Sequence, residues 1–211
     1  MEKASLYTAK KCVTFLAALL FSAVAYCQNA DINILKDINL HRNKSLDGTM
    51  FVLTNSVYPV SGIIPITELA VGYARHDSAL VSRGYTTIAG LGVNFIVTFG
   101  LKYAVNRKRP YVTYSFLEPY QHDTDPSFPS GHTSFAFNTA TSLFLIFPKW
   151  YVAVPAYAWA ATIAYTRMDL GMHYPTDLLA GTIVGAGSSL LSYKGNQWIH
   201  HHKKKDKLVH Y

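Results

Sequence analysis

The amino-acid sequence predicts an all-α protein, a polytopic bundle of transmembrane helices that crosses the bilayer five or six times. Half of the 211 residues are apolar and only 15% are charged, which excludes a disordered or collagen-like chain. Five long segments after residue 48 contain almost no charge, and the lysines and arginines between them follow the pattern of short loops in membrane proteins. Because no internal repeat or low-complexity linker is present, residues 49–194 form one predicted domain.

Residues 1–27 have the pattern of an export signal. Three lysines before residue 12 precede a charge-free apolar stretch, and small Ala25 lies two residues before Cys27. Cleavage after Cys27 and retention as a signal anchor both fit this pattern, and they give five and six spans respectively. Cys12 and Cys27 are the two cysteines of the chain and both lie in this segment, so no internal disulfide is expected elsewhere.

Residues 28–48 form a predicted amphipathic segment. Apolar Ile34 and Leu35 are followed by charged Lys36 and Asp37, which is the pattern of a short helix at a membrane surface. At the other end, residues 195–211 form a predicted basic cytoplasmic tail, in which residues 203–207 contribute +3 of the net charge of +7. Positive charge concentrated in a tail argues against a surface that binds nucleic acid.

The five apolar segments are the predicted membrane-spanning helices of the domain. Four of them are 16 to 18 residues long, at the lower limit for crossing the hydrocarbon core of a bilayer. Their glycines favour close helix packing in lipid over packing in a soluble bundle. Glu68 interrupts the first segment, and it is expected to face the bundle interior with Asn94 as its partner. The segments are 49–74, 84–101, 133–148, 150–166 and 178–193.

Charged residues between these segments predict the side of the membrane that each loop faces. With the N-terminus in the cytoplasm, the loop with Arg75 and Arg83, the loop with Lys149 and the basic tail all lie on the cytoplasmic side, as the positive-inside rule requires. Three other polar clusters then lie together on the opposite side. In a bacterial inner membrane that side faces the periplasm.

The first two clusters combine cations with the start of a helix. Lys102 and Arg109 are seven residues apart, two helical turns, so they project from one helix face. Alone, this pair also fits a basic helix end that extends to the membrane surface. Ser130, Gly131 and His132 follow a proline and precede an apolar helix, where backbone N–H groups bind anions. Alone, that sequence also fits a helix cap.

The third cluster contains Arg167, His173 and Asp177. His173 and Asp177 are four residues apart, so in a helix that starts near Pro175 the carboxylate reaches the imidazole. A carboxylate on one ring nitrogen fixes the tautomer and leaves the other nitrogen free as a nucleophile. Together the clusters supply three cations, backbone donors, a His–Asp pair and a second histidine. Displacement at a phosphorus centre requires this set of groups.

The three motifs are K-x₆-R-P, P-S-G-H and R-x₅-H-x₃-D, in this order. In residue types and spacing they resemble the signature of the type 2 phosphatidic acid phosphatase (PAP2) superfamily. The motifs cover residues 102–177, and the apolar segments extend the similarity over most of the chain. Thr166 stands where the family usually has a serine, and it keeps the hydroxyl group.

The resemblance implies a role for each motif residue. His173 attacks phosphorus and forms a phosphohistidine, Asp177 orients it, and His132 protonates the leaving alcohol and then activates water. The groups that hold the phosphoryl oxygens are Lys102, Arg109, Ser130, the Gly131 amide and Arg167. No metal and no other cofactor is implied, because these cations supply the charge that Mg²⁺ supplies in many other phosphoryl-transfer sites.

The function implied by the resemblance is removal of a phosphate group from a membrane lipid at the periplasmic face of the inner membrane. Lipid A phosphate is the favoured substrate, and undecaprenyl pyrophosphate and phosphatidylglycerol phosphate are the alternatives. A soluble periplasmic acid phosphatase acting on small phosphomonoesters is a second interpretation, which the export signal permits and the basic loops oppose. A vanadium haloperoxidase, which has similar motifs on a much longer chain, is the third.

The expected partners are the phosphorylated lipid and the bilayer, without nucleic acid and without an obligate protein partner. One loop is left open by the sequence. Between the first two motifs, His122, Asp123 and Asp125 either contact a substrate head group or are solvated.

Overall fold

The computed structural model describes residues 29–209, with side chains described as far as residue 199. The predicted signal segment, residues 1–27, lies outside this range. The described residues form helices and connecting loops without a β-strand, as the sequence predicts. The helices are α1 (29–40), α2 (Asp47–Asn55), α3 (Val57–Ala74), α4 (Ser78–Val105), α5 (Pro110–Thr113), α6 (Gly131–Ile146), α7 (Trp150–Asp169) and α8 (Pro175–Val209).

The first predicted span is divided into two helices, α2 and α3, at Ser56. The Ser56 hydroxyl donates a hydrogen bond of 2.7 Å to the carbonyl oxygen of Leu53, and it accepts one of 3.2 Å from the indole N–H of Trp159. A serine hydroxyl that bonds back to its own helix bends the backbone at that turn. Hydropathy carries no signal of this bend, because both halves of the segment are apolar.

Helix α6 lies at the centre of the bundle and packs against α3, α4, α7 and α8. Glycines on α8 allow the closest approach: a Cβ atom on Gly181 would lie 2.7 Å from the carbonyl oxygen of Ser130, and one on Gly185 would collide with the carbonyl oxygen of Ser134. The Asn138 amide then donates hydrogen bonds to the Gly90 and Gly185 carbonyl oxygens, at 3.2 Å and 3.1 Å. These contacts fix α4, α6 and α8 against one another.

Polar side chains occupy the interior of the bundle while large apolar ones cover its outside. Thr133, Ser134 and Asn138 of α6 are fully buried, whereas Ile96 of α4 and Ile183 of α8 are 72% and 73% exposed. An apolar exterior suits a lipid environment, in which buried polar groups bond across helices. Within residues 29–209, the two stretches Lys44–Ala74 and Ser78–Thr113 are long and apolar enough to cross a membrane. The count of five to six spans therefore stays a prediction.

Glu68 faces the interior as expected, but the expected partner is wrong. The Thr87 hydroxyl donates a hydrogen bond of 2.8 Å to Glu68 Oε2. Asn94, two helical turns further along α4, instead donates to the Ser134 hydroxyl at 3.3 Å. Because α3 and α4 run antiparallel from a short turn at residues 75–77, the register of the turn places Thr87 rather than Asn94 opposite Glu68.

Candidate active site

The three sequence motifs meet at one end of the bundle. Lys102 lies in the last turn of α4, Ser130 caps the N-terminus of α6, Arg167 lies in the last turn of α7 and Asp177 in the first turn of α8. These four helix ends coincide because neighbouring helices run in opposite directions. Because the helices alternate in direction along the chain, residues up to 75 positions apart come together.

The motif residues surround a cavity of about 240 Å³. Five predicted site residues are in its wall, and the other three, Ser130, Arg167 and Asp177, are buried around it. The structure therefore brings all eight predicted residues into one region. The wall is formed by Asn55, Tyr58, Phe99, Lys102, Arg109, Gln121, Asp123, Asp125, Gly131, His132 and His173.

His173 is buried between an acidic and a basic partner. Its Nδ1 atom lies 3.5 Å from Asp177 Oδ2 and 3.4 Å from the Ser127 hydroxyl, and its Nε2 atom lies 3.4 Å from Arg109 Nη1. These contacts assign the ring proton to Nδ1 and the lone pair to Nε2. Burial lowers the pKa of His173 well below its usual value, and the Arg109 and Arg167 charges lower it further. The imidazole is consequently neutral at physiological pH.

Asp177 is held by groups that the sequence analysis did not single out. Its Oδ2 atom accepts hydrogen bonds from the Ser127 hydroxyl at 2.5 Å and from the Tyr174 backbone N–H at 3.0 Å. Its Oδ1 atom accepts one of 2.7 Å from Arg107. Ser127 lies two residues before the second motif, and Arg107 lies inside the variable spacer of the first. Proximity to a motif is the only sequence signal that either residue carries.

Asp123 and Asp125, which the sequence left open, bind the cations of the site. Asp125 lies 2.8 Å from Lys102 Nζ and also contacts Arg109 Nη2, and Asp123 lies 3.2 Å from that same Arg109 atom. Burial alone would raise the pKa of Asp125, but its hydrogen bond with Lys102 and the charge of Arg109 lower it to about 2. Two carboxylates thus pair with the cations that line the cavity.

Arg167 has hydrogen-bonding capacity left unused. Its side chain is only 1% exposed, and its Nε and Nη2 atoms have no hydrogen-bond partner within the described part of the chain. The nearest carboxylate oxygen, on Asp123, is 3.5 Å from Nη2. A buried guanidinium with free donors is costly unless an anion binds it. Arg167 is therefore the strongest single indication of an oxyanion ligand.

His132 and the start of α6 form the opposite wall. His132 Nε2 lies 3.4 Å from Asn55 Oδ1, and its ring packs edge-on against Tyr58 with centroids 5.0 Å apart. The Ser130 hydroxyl accepts the Thr133 N–H at 3.4 Å and so caps the helix. Gly131 begins α6, and a Cβ there would lie 4.0 Å from the side chain of Lys102. Backbone N–H groups of this first turn have no intrahelical acceptor, so they are available to an anion.

Positive charge at the cavity comes from side chains. Among the described residues, no group of three or more His, Cys, Asp or Glu side chains is arranged to hold a metal ion. Lys102 and Arg109 line the cavity together with His173, and Arg167 is buried beside it. This arrangement can bind a tetrahedral oxyanion beside a nucleophile.

The chain is also similar in sequence to known phosphatases. The PAP2 superfamily matches residues 83–200 of the chain. An undecaprenyl-diphosphatase of Sulfolobus acidocaldarius is 30% identical over 167 residues, which is 77% of this chain and 76% of that protein. A lipid A 1-phosphatase of Rhizobium johnstonii is 35% identical over 119 residues, which is 51% of this chain and 48% of that protein.

The fold also matches a solved structure. The crystal structure of the first transmembrane PAP2-type phosphatidylglycerolphosphate phosphatase from Bacillus subtilis is similar with a TM-score of 0.67 and 25% identity, covering 88% of this chain and 94% of that one. The family match covers more than half of the 211 residues and includes all three motifs. The chain therefore belongs to the PAP2 superfamily and is a membrane phosphatase.

Proposed function

We propose that this protein removes a phosphate group from a membrane lipid at the periplasmic face of the bacterial inner membrane, through a phosphohistidine on His173 and without a metal. The observation that carries the proposal is the position of His173 Nε2, 3.4 Å from the Arg109 guanidinium in the wall of the cavity. A phosphate oxygen bound to Arg109 brings its phosphorus atom within reach of that nitrogen. Arg167 supplies the free donors for a second oxygen.

In the first step, the Nε2 lone pair of His173 attacks phosphorus and the bond between phosphorus and the lipid oxygen breaks. Burial and the charge of Arg167 lower the pKa of His132 well below its usual value, and the negative charge of the bound substrate opposes this shift. The leaving oxygen takes its proton from the protonated form of His132. Asp177 keeps the proton on Nδ1 and stabilises the positive charge that develops on the ring. The product of this step is the free lipid alcohol and a phosphohistidine.

In the second step, water attacks the phosphohistidine. His132, now neutral, accepts a proton from the water, and the bond between phosphorus and Nε2 breaks with the electron pair returning to His173. Inorganic phosphate leaves and His132 is again protonated. Lys102, Arg109 and Arg167 bind the equatorial oxygens in both steps, which is the electrostatic contribution of the site.

Lipid A phosphate is the first substrate to test, and undecaprenyl diphosphate and phosphatidylglycerol phosphate fit the site equally well. A cavity of about 240 Å³, with Lys102 and Arg109 in its wall and Arg167 buried beside it, recognises the phosphoryl group that all three lipids share. Selection among the lipids must come from contacts outside this cavity, where the exposed apolar faces of the helices meet the acyl chains. The experiment is phosphate release by the purified protein in detergent from each lipid separately, with mass spectrometry of membrane lipids from cells with and without the gene.

Two further experiments test the other interpretations that the sequence left open. A soluble acid phosphatase would leave the membrane fraction after a high-salt wash, whereas the exposed apolar side chains of α4 and α8 predict retention. A haloperoxidase would oxidise bromide when vanadate and peroxide are supplied. Reporter fusions at Lys149 and in the loop at His122 test the orientation, with cytoplasmic and periplasmic signals expected respectively.

A further inference from the structure

Helix α1 is fixed to the active site by a buried carboxylate, Asp31, which is 3% exposed. Its Oδ1 atom accepts the Thr176 backbone N–H at 2.8 Å, and its Oδ2 atom accepts the Thr176 hydroxyl at 2.5 Å. Oδ2 also lies 2.8 Å from Arg107 Nη2. Thr176 immediately precedes Asp177, so Asp31 holds the first turn of α8 where the His–Asp pair is built.

Arg107 connects Asp31 to Asp177. Its Nη1 atom lies 2.7 Å from Asp177 Oδ1, while Nη2 binds Asp31, so the guanidinium lies between the two carboxylates. The guanidinium carbon lies 3.8 Å from the centre of the Tyr174 ring, which fixes its plane. Burial alone would lower the pKa of Arg107, but the Asp177 and Asp31 carboxylates raise it above its usual value. Arg107 is thus permanently charged, and it pairs with both Asp31 and Asp177.

We propose that Asp31 is a positioning residue for the His173–Asp177 pair, acting through Arg107 and Thr176, an inference that rests on the proposed function. With Asp31 present, Arg107 divides its charge between two carboxylates and Asp177 keeps negative charge for His173. Without it, the whole guanidinium charge acts on Asp177 and is free to draw the carboxylate away from Nδ1. The amphipathic segment outside the three motifs is then part of the catalytic apparatus.

Contacts other than those of Asp31 also hold α1 in place, which makes the inference testable. The Asn39 amide donates to the carbonyl oxygens of Glu118 and Asp169 at 3.2 Å and 2.9 Å, and Leu35 is fully buried in an apolar cluster. Replacement of Asp31 by asparagine therefore removes the charge while these contacts hold the helix in place. Asp37, an exposed carboxylate on the same helix, offers the matched control.

The experiment measures kcat, KM and the pH profile of purified Asp31→Asn and Asp37→Asn with p-nitrophenyl phosphate as the probe. For Asp31→Asn we expect kcat to fall about 10- to 100-fold with KM changed less than about 3-fold, as for a misplaced catalytic group. Loss of a negative charge near the ring destabilises the imidazolium, so the acid limb of the profile moves to lower pH. Asp37→Asn should match the wild type in all three measurements.

The shift of the acid limb of the pH profile distinguishes a positioning role of Asp31 from a purely structural one. The charged and titratable groups facing His173 are Lys102, Arg109, Asp125, His132, Arg167 and Asp177, and all of them remain in the variant. Asn39→Ala, which loosens α1 without altering charge near Arg107, should lower activity with no shift of the limb. The proposal is overturned if Asp31→Asn matches Asp37→Asn, or if it reproduces Asn39→Ala with an unshifted limb.

Two further variants keep the result interpretable. Asp31→Glu retains the charge, so the acid limb of its pH profile should lie at the wild-type position. If Asp31→Asn does not accumulate in the membrane, Asp31→Glu alone tests the proposal. A shifted acid limb in Asp31→Glu contradicts the proposal. His173→Ala tests the proposed function itself. Activity retained by His173→Ala overturns the proposed function, whereas loss in His173→Ala with normal Asp31→Asn overturns only the role of Asp31.

Discussion

His173 Nε2 lies 3.4 Å from Arg109 Nη1. A guanidinium this close to an imidazole nitrogen excludes a proton on that nitrogen, and in the proposed mechanism it binds a phosphate oxygen beside the attacking atom. Burial is the main cause of the lowered pKa of His173, and this contact lowers it further. Asp177 on the other side of the ring completes the arrangement, at 3.5 Å from Nδ1.

The first prediction concerns the nucleophile. His173→Ala removes the side chain that carries the phosphoryl group, so kcat should fall on the order of 10⁴-fold or more. Asp177→Asn should cost less, because the attacking nitrogen remains and mainly its orientation is lost. Steady-state kinetics on both variants, with Asp37→Asn as the control, check this order. Wild-type turnover by His173→Ala would refute the mechanism.

The second prediction is the pH dependence. The pKa of His173 is lowered by burial and by Arg109 and Arg167, and the protonated ring has no lone pair with which to attack. Activity should therefore be retained as pH falls through the usual histidine range and be lost only below it. Asp125, with a pKa of about 2, stays ionised throughout and does not contribute to this limb. An acid limb of the kcat/KM profile at or above the ordinary histidine pKa would contradict the assignment, whereas a decline at high pH would report loss of the proton from His132.

The sequence predicts where α6 and α8 begin, because chemical signals mark these two ends. Pro175 begins α8 and Gly131 begins α6 after the Ser130 cap, as proline and serine at these positions indicate. Alternation of the helices then explains why the three motifs meet. Arg109 is an exception, because the predicted helix face shared with Lys102 is wrong: α4 ends at Val105, Asn106 has a left-handed backbone conformation, and Arg109 precedes α5.

Other features depend on contacts between distant residues that local patterns do not encode. Asp31 lies 145 positions from Thr176, and its bond to that residue exists only in the folded bundle. The polar loop with Asp125 has the composition of a solvated loop, so its pairing with Lys102 carries no local signal. Glu68 was placed correctly inside the bundle, but the identity of its partner required the helix register.

The third prediction is independence from metal ions. Lys102, Arg109 and Arg167 provide the positive charge that a divalent cation provides in other phosphoryl-transfer sites. Excess EDTA should consequently leave phosphate release by the purified protein unchanged. If EDTA inactivates the enzyme and added Mg²⁺ or Zn²⁺ restores its activity, the role assigned to the three cationic side chains is wrong.

The fourth prediction separates charge from geometry at Arg167. Vanadate adopts the five-coordinate geometry of in-line displacement and should inhibit as a transition-state mimic. Arg167→Lys keeps the charge but loses the planar pair of donors, so vanadate inhibition should weaken about 10-fold or more while KM changes less. Arg83→Lys, at the opposite end of α4, is the matched control. Equal losses in KM and in vanadate inhibition would mean that Arg167 binds the ground state and the transition state alike.

The fifth prediction concerns the competition between Asp125 and phosphate. Asp125 lies 2.8 Å from Lys102 and also binds Arg109, so a phosphate must displace it to reach both cations. Asp125→Asn removes this competing charge, and inorganic phosphate and vanadate should then inhibit several-fold more tightly, on the order of 1 kcal/mol. Glu118→Gln in the same loop alters a carboxylate that pairs with Lys44 instead, so its inhibition constants should equal those of the wild type.

Two results would contradict the competition model. Weaker phosphate inhibition in Asp125→Asn would show that the carboxylate orients Lys102 and Arg109 for the substrate rather than competing with it. Tighter inhibition in Glu118→Gln as well would assign the effect to the general charge of the loop. Because inhibition by inorganic phosphate does not require turnover of the lipid, isothermal titration with the His173→Ala protein measures the same competition without catalysis. There, adding Asp125→Asn should again tighten phosphate binding.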